Sequence, residues 1–167
     1  SYGTYAGSPT FDGTYIYFLP YSPSNTDGVM LRYLVSSPTF SSAGFEEISV
    51  ALSSADTFPI SWWGSTIGNG YLYLTPQQRT PDPGGTGTWY SGTVVRILLS
   101  SIGTGSLTWD SLAIDTLSPG GVTYKSTGTE YIRFRNSWFY NGYYWFMCQA
   151  SPFMGRVPAD QFTLANV

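Results

Sequence analysis

Aromatic and aliphatic residues alternate without a break over residues 15–21, with Tyr15, Tyr17, Leu19 and Tyr21 on one side of an extended chain and Ile16 and Phe18 on the other. Both sides are apolar, which predicts a strand covered on both faces. The turn signal Phe11-Asp12-Gly13-Thr14 launches it, and Pro20 with the polar residues 22–27 ends it. A second strand then runs over residues 28–35, residues 36–44 read as a loop, and residues 45–52 read as a third strand. Strands joined by short polar loops make an antiparallel meander. No window sustains a 3.6-residue period, so helix is a minor component.

The pattern then returns. Residues 57–63 are apolar but broken at Pro59, as suits an edge or an opening strand. Asn69-Gly70 launches Tyr71-Leu72-Tyr73-Leu74-Thr75-Pro76, and residues 77–91 form a long Pro- and Gly-rich loop ending in Trp89-Tyr90. The stretch from Gly92 to Ile114 repeats that from Gly28 to Val50 without a gap: Arg96 stands for Arg32, Leu98 for Leu34, Ser100 and Ser101 for Ser36 and Ser37, Trp109 for Phe45, and Leu112 for Ile48. After a turn at residues 117–121 and one or two strands over residues 122–134, Asn141-Gly142 launches a third aromatic strand, Tyr143-Tyr144-Trp145-Phe146-Met147-Cys148. Gly155-Arg156-Val157 is a shortened version of the Gly-x-x-x-Arg strand, and residues 162–167 read as a last strand.

The expected fold is therefore all-β: three repeated antiparallel four-stranded meanders, propeller-like, with a β-sandwich or a three-part β-prism as alternatives. The chain reads as a single domain, residues 1–167, with repeat units at about 1–53, 54–118 and 119–167. The turn Gly103-Thr104-Gly105-Ser106-Leu107-Thr108-Trp109 resembles a decayed Asp-box, the S-x-D-x-G-x-T-W turn between the last two strands of sialidase-type propeller blades, with the Asp and its spacing lost. The doublets Gly84-Gly85 and Gly120-Gly121 resemble kelch blades more weakly. In the Asp-box family the turn is structural, so the resemblance implies a blade and no catalysis. Three blades are fewer than the four to eight that propellers use. Association of copies into a ring, as in lectin-type propellers built from short chains, is one way to complete such a set.

Composition narrows the function. Charged residues are 10% of the chain, Lys125 is the sole lysine and the net charge is -3, which argues against a phosphate-tracking nucleic-acid binder. Arg133 and Arg135 together read as a solvated strand edge. Aromatic residues reach 18%, and the polar remainder is rich in Ser, Thr and Gly, a composition associated with secreted, cell-surface and virion proteins. No apolar run is long enough for a membrane-spanning helix, so membrane insertion is not expected. The single cysteine, Cys148, excludes an intrachain disulfide and reads as a small buried hydrophobe.

The chain contains no histidine, which removes Ser-His-Asp triads, Cys-His dyads and histidine metal sites. No cofactor and no metal are expected, because no phosphate cradle is present and Asp56 and Asp82 lack calcium-loop spacing. A carboxylate pair for glycoside hydrolysis would have to come from Glu46, Glu47, Asp110, Asp115 and Glu130, and adjacent Glu46 and Glu47 point to opposite faces of a strand. No catalytic residue is assigned. Arg32 and Arg96 lie within apolar strands and each requires a partner: either a structural carboxylate, Glu47 or one of a neighbouring unit, or a sugar, bound at sites where Arg, a carboxylate and Trp recur in each unit, with Arg32, Glu47, Arg96 and Trp109 as the candidates. Trp62-Trp63, Trp89-Tyr90 and Trp138-Phe139-Tyr140 each turn one member away from the core, so Trp62, Trp63, Trp89, Tyr90, Trp138 and Tyr140 are candidate ligand or interface residues. The resulting expectation is a non-enzymatic structural or attachment module, extracellular or on a virion surface, such as a phage fibre, tail or capsid-decorating subunit. It is expected to be a homo-oligomer. The alternatives are a lectin for surface glycans and, third, a glycosidase-like enzyme.

Overall fold

The computed structural model describes residues 8–19, 29–36, 42–50, 61–78, 93–113, 134–148 and 154–162. These residues are all-β, with no α-helix among them. The first sheet is a meander of β1 (Thr10–Phe11), β2 (Tyr15–Phe18), β3 (Val29–Leu34) and β4 (Phe45–Ser49) in sequential order. The second repeats it with β5 (Ser61–Gly68), β6 (Tyr71–Gln78), β7 (Thr93–Leu98) and β8 (Trp109–Ala113). The third contains β9 (Phe134–Tyr140), β10 (Tyr143–Cys148) and β11 (Met154–Pro158). All neighbours pair antiparallel.

The hairpin signals act as their chemistry requires. Asn69 and Asn141 both take φ 50°, and Gly70 and Gly142 follow at φ 79° and 80°. Two successive positive φ values are the hallmark of a type I′ turn, whose twist matches the flanking strands. The repeat is exact at the level of register. Arg32 lies opposite Glu46 as Arg96 lies opposite Asp110, and Met30 opposite Ile48 as Val94 opposite Leu112.

Some boundaries differ from the sequence pattern. The second unit opens at Ser61 and runs to Gly68, through a bulge around Trp62, where Gly64-Ser65-Thr66 carries no apolar alternation; the Asn69-Gly70 hairpin holds this segment against β6. Gln77 and Gln78 belong to β6 rather than to the loop. The aromatic run Trp138-Phe139-Tyr140 lies within β9, which begins at Phe134, where the expected strand ended. The third sheet has three strands among the described residues, and the expected strand beyond Phe162 lies outside them, as do residues 114–133.

The sheets stack face on face. One side of the first sheet contributes Tyr17, Leu19, Met30, Ile48 and Val50, which pack with Trp62, Leu72, Leu74, Val95, Ile97 and Ile102 of the second unit in one core. Alternation sends Tyr73, Val94 and Leu112 to the opposite side of the second sheet, where they meet Tyr144, Phe146, Val157, Ala159 and Phe162 of the third unit in another. The second sheet is thus buried on both faces, which is why its two central strands, β6 and β7, carry near-continuous apolar runs. Fit is close where Gly68 of β5 lies under the Phe139 ring, with no room for a Cβ.

Candidate functional site

The arginines of the two complete units make the same arrangement, and it joins one sheet to the next. Arg32 is flanked on its own face by Tyr17 on β2 and Glu46 on β4. Its Nε donates to Glu46 Oε2 at 2.8 Å, its Nη2 lies 2.6 Å from the same oxygen, and its guanidinium sits 4.2 Å from the centre of the Tyr15 ring. The remaining donor, Nη1, reaches the backbone carbonyl of Ile102 in the turn after β7, at 2.9 Å. Arg96 donates from Nε and Nη2 to Asp110 Oδ2 at 3.0 and 2.9 Å and lies between the rings of Tyr71 and Phe162, at 4.4 and 4.5 Å. Its Nη1 donates to the carbonyl of Ala159, in the turn after β11.

Each guanidinium is therefore satisfied three ways: by a carboxylate of its own sheet, by the aromatic strand of its own sheet, and by a carbonyl of the following sheet. A planar fork with five donors suits this role where an ammonium would not. The arginine side chains are 12% and 11% exposed, whereas Glu46 and Asp110 are 46% and 55% exposed. Docking turns and arginines fit closely: a Cβ at Gly103, which has φ +87°, would run into the Arg32 guanidinium.

The sequence expectation that Glu47 partners Arg32 is corrected. Glu47 faces Leu31, on the opposite side of the sheet, because alternation leaves only Glu46 on the arginine's face. Trp109 likewise pairs with Ile97 and packs into the core between the first two sheets, away from Arg96.

A third arginine stands in the same register. Arg156 faces Trp145, and Pro158 faces Tyr143, as Arg32 faces Tyr17 and Leu34 faces Tyr15. Its guanidinium stacks at 4.5 Å over Tyr143 and 5.1 Å over Trp145. Among the described residues it has neither the carboxylate nor the carbonyl that the other two possess, and it is exposed. Around it lie Trp138, Tyr140, Met147 and Met154, at 36%, 69%, 39% and 55% exposure. Trp138 and Trp145 stack with centres 6.1 Å apart and planes 3° from parallel. The glycine that directly precedes this arginine breaks the Gly-x-x-x-Arg spacing, so the sequence alone gives it no role; its pairing with Trp145 restores the register.

Of the other candidate residues, Trp62 is buried at 1% and is a core residue, not a contact residue. Trp63 follows it in β5. Trp89 and Tyr90 lie outside the described residues, as do Asp115 and Glu130. Trp138 and Tyr140 point outward while Phe139 turns inward, as expected of alternating neighbours. The turn that resembles an Asp-box lies between β7 and β8 and is closed by Ser101, whose hydroxyl donates to the Leu98 carbonyl at 2.7 Å and accepts from Thr108 N–H at 3.0 Å.

Polar groups at the sheet junctions are tied down. Burial would raise the Asp12 carboxyl, but hydrogen bonds from Tyr15 N–H, the Tyr17 hydroxyl and Thr14 N–H, aided by Arg32, hold it below the ordinary carboxylate range. Burial, reinforced by the bond to Asp12, pushes the Tyr17 hydroxyl up. Between the second and third sheets the Thr75 hydroxyl donates to Ser137 Oγ at 2.6 Å and lies 3.1 Å from the Tyr144 hydroxyl, which burial pushes up to about 12. The Tyr73 hydroxyl, on the Arg96 side of the second sheet, is buried with no hydrogen-bond partner of good geometry among the described residues.

Glu46 and Asp110 are engaged by arginines on different sheets, and no metal-binding cluster occurs among the described residues. No helix is long and apolar enough to cross a membrane. These features define a class: an all-β protein of three antiparallel sheets stacked through repeated arginine junctions. Comparison with models of known protein families and with curated protein sequences finds no match.

Proposed function

We propose that this chain is a non-enzymatic structural and attachment module whose sheets act as propeller-type blades and whose working form is a homo-oligomer. One observation carries the reading: a face rich in aromatic residues, with Trp138, Tyr140, Met147 and Met154 at its surface, surrounds an arginine whose two counterparts are covered by a following sheet. Exposed apolar surface of this kind marks a contact site. The weakly charged, hydroxyl-rich composition supports an extracellular or virion-surface setting, such as a phage fibre, tail or capsid-decorating subunit. Light scattering over a concentration series is the test, with Trp138→Ala as the variant. A defined oligomer weakened by the substitution is expected, and a monomer at every concentration overturns the reading.

A second reading, a lectin, rests on the parallel Trp138 and Trp145 rings beside Arg156. Indole faces stack on the apolar side of a pyranose while a guanidinium donates to its hydroxyls. Glycan-array binding abolished by Trp138→Ala, in a protein that remains monomeric, would favour it over the assembly reading.

A further inference from the structure

The junction between sheets occurs twice within the chain and follows one rule. The arginine-bearing face of one sheet receives the opposite face of the next, and the turn after the next sheet's third strand reaches back to the arginine. Among the described residues, the two halves of that junction also stand unmated. At one end is the Arg156 face. At the other is the outward side of the first sheet, where Leu31 and Tyr33 are buried at 7% and 5% but Ile16 and Phe18 are only half-buried, although the register equivalents of these two, Leu72, Leu74, Tyr144 and Phe146, are buried. The docking turn shows the same contrast. Val35 N–H bonds the Thr14 carbonyl as Leu99 bonds Gly70 and Ala159 bonds Gly142, so these three residues are equivalent. Leu99 packs into the first core and Ala159 is 2% exposed, yet Val35 is 46% exposed.

We propose that the Arg156 face of the third sheet receives the first sheet of a second copy of this chain, with the turn at Val35 lying against Arg156, so that two copies close a ring of six sheets. The inference deepens the assembly reading and rests on it. The occupant follows from continuity: among the described residues, the surfaces that fit an arginine face of this kind are the equivalent faces of the same repeat. Such a contact joins unlike surfaces, so it forms a ring or an open chain according to the rotation between subunits. A propeller-type stack closes with four to eight sheets, a range that the three described sheets of one copy fall short of and the nine of three copies exceed.

The test uses charge reversal at each end, with the mass followed by light scattering and folding checked by circular dichroism. The wild type is expected at twice 18.3 kDa, without larger species as concentration rises. Arg156→Glu and Val35→Arg should each raise the dissociation constant at least about 30-fold, the scale of an interface anchor. The double variant, which sets a new glutamate opposite a new arginine across the contact, should regain much of the two-chain mass. A dimer lost with Arg156→Glu but indifferent to Val35→Arg means that the third-sheet face meets itself. That result overturns this inference and leaves the assembly reading standing. Mass that grows without limit overturns the closed ring. A wild type that is monomeric throughout overturns both.

Discussion

Replacing Arg96 by methionine should cost about 3 kcal/mol, several times the cost of replacing its carboxylate partner. The substitution keeps most of the apolar stem but removes every donor. The Ala159 carbonyl, partly buried between sheets, then loses its hydrogen bond, a loss of about 1–3 kcal/mol. The stacks on Tyr71 and Phe162 are worth roughly 0.5–2 kcal/mol together, because the guanidinium is 11% exposed and largely shielded from water. Asp110→Asn acts on a side chain that is 55% exposed and leaves an amide oxygen able to accept from Nε, so its effect should be about 0.5–1 kcal/mol. Urea titrations followed by tryptophan fluorescence would read both as shifts of midpoint at constant slope. Equal costs for the two variants would refute the reasoning: the arginine would then be an in-sheet ion-pair partner and not the tie between sheets. Arg32→Met provides an independent repetition, and its effect should add to that of Arg96→Met because the two arginines share no partner.

Gly68→Ala should destabilise by about 1–3 kcal/mol, since the new Cβ runs into the Phe139 ring, and pairing it with Phe139→Leu should cost less than the sum of the two single changes in the same titration. Tyr73→Phe should be neutral or stabilising by up to about 1 kcal/mol because it removes a buried hydroxyl without a partner, whereas Tyr144→Phe should cost about 0.5–1.5 kcal/mol through the lost contact with Thr75. The alkaline limb follows from the raised Tyr144 hydroxyl. Its contribution is full below the unfolded value of about 10 and is lost as pH rises toward about 12, so the wild type should lose stability over that window more steeply than Tyr144→Phe. At the acid end the sign reverses: the depressed Asp12 carboxyl contributes above the unfolded value of about 3.9 and its contribution is lost as pH falls through the lower folded value, so Asp12→Asn should flatten the acid limb of a thermal-midpoint profile.

Local chemistry made much of the fold legible in the sequence. Asn-Gly pairs fixed two hairpins, and a gapless repeat placed Arg96 where Arg32 stands, so a register in one sheet carried over to the next. The limits were equally physical. Residues 64–68 carry too little apolar alternation to announce a strand, and pairing with β6 determines them. The partner of Arg32 turned on which of two adjacent glutamates shares its face, a question that register answers and composition does not. Trp62 and Trp138 were equal candidates as tryptophans beside other aromatics. Only the stacking order, which covers the second sheet on both sides and leaves Trp138 of the third exposed, separates a core residue from a surface one.

That stacking order also explains why charged residues are so few and so placed. In a stack of sheets the faces must be apolar to be buried, and a buried arginine on such a face is stable where the next sheet returns a carbonyl to it, as at Arg32 and Arg96. The carboxylate that neutralises each one sits at the outer strand, half in water, where its own desolvation is small. The apolar faces supply the adhesion, and the arginine restricts which turn is accepted and at what height along the strand. A hydrophobic face alone would let neighbouring sheets slide by two residues and still bury similar area. With the guanidinium held by Glu46 or Asp110 on one side and aromatic rings beneath, a sheet displaced by that amount would leave its donors unpaired in a dry interface. The arginines therefore specify register between sheets as side-chain alternation specifies it within them, and under the proposed assembly the same selectivity at Arg156 would choose a sheet of its own kind.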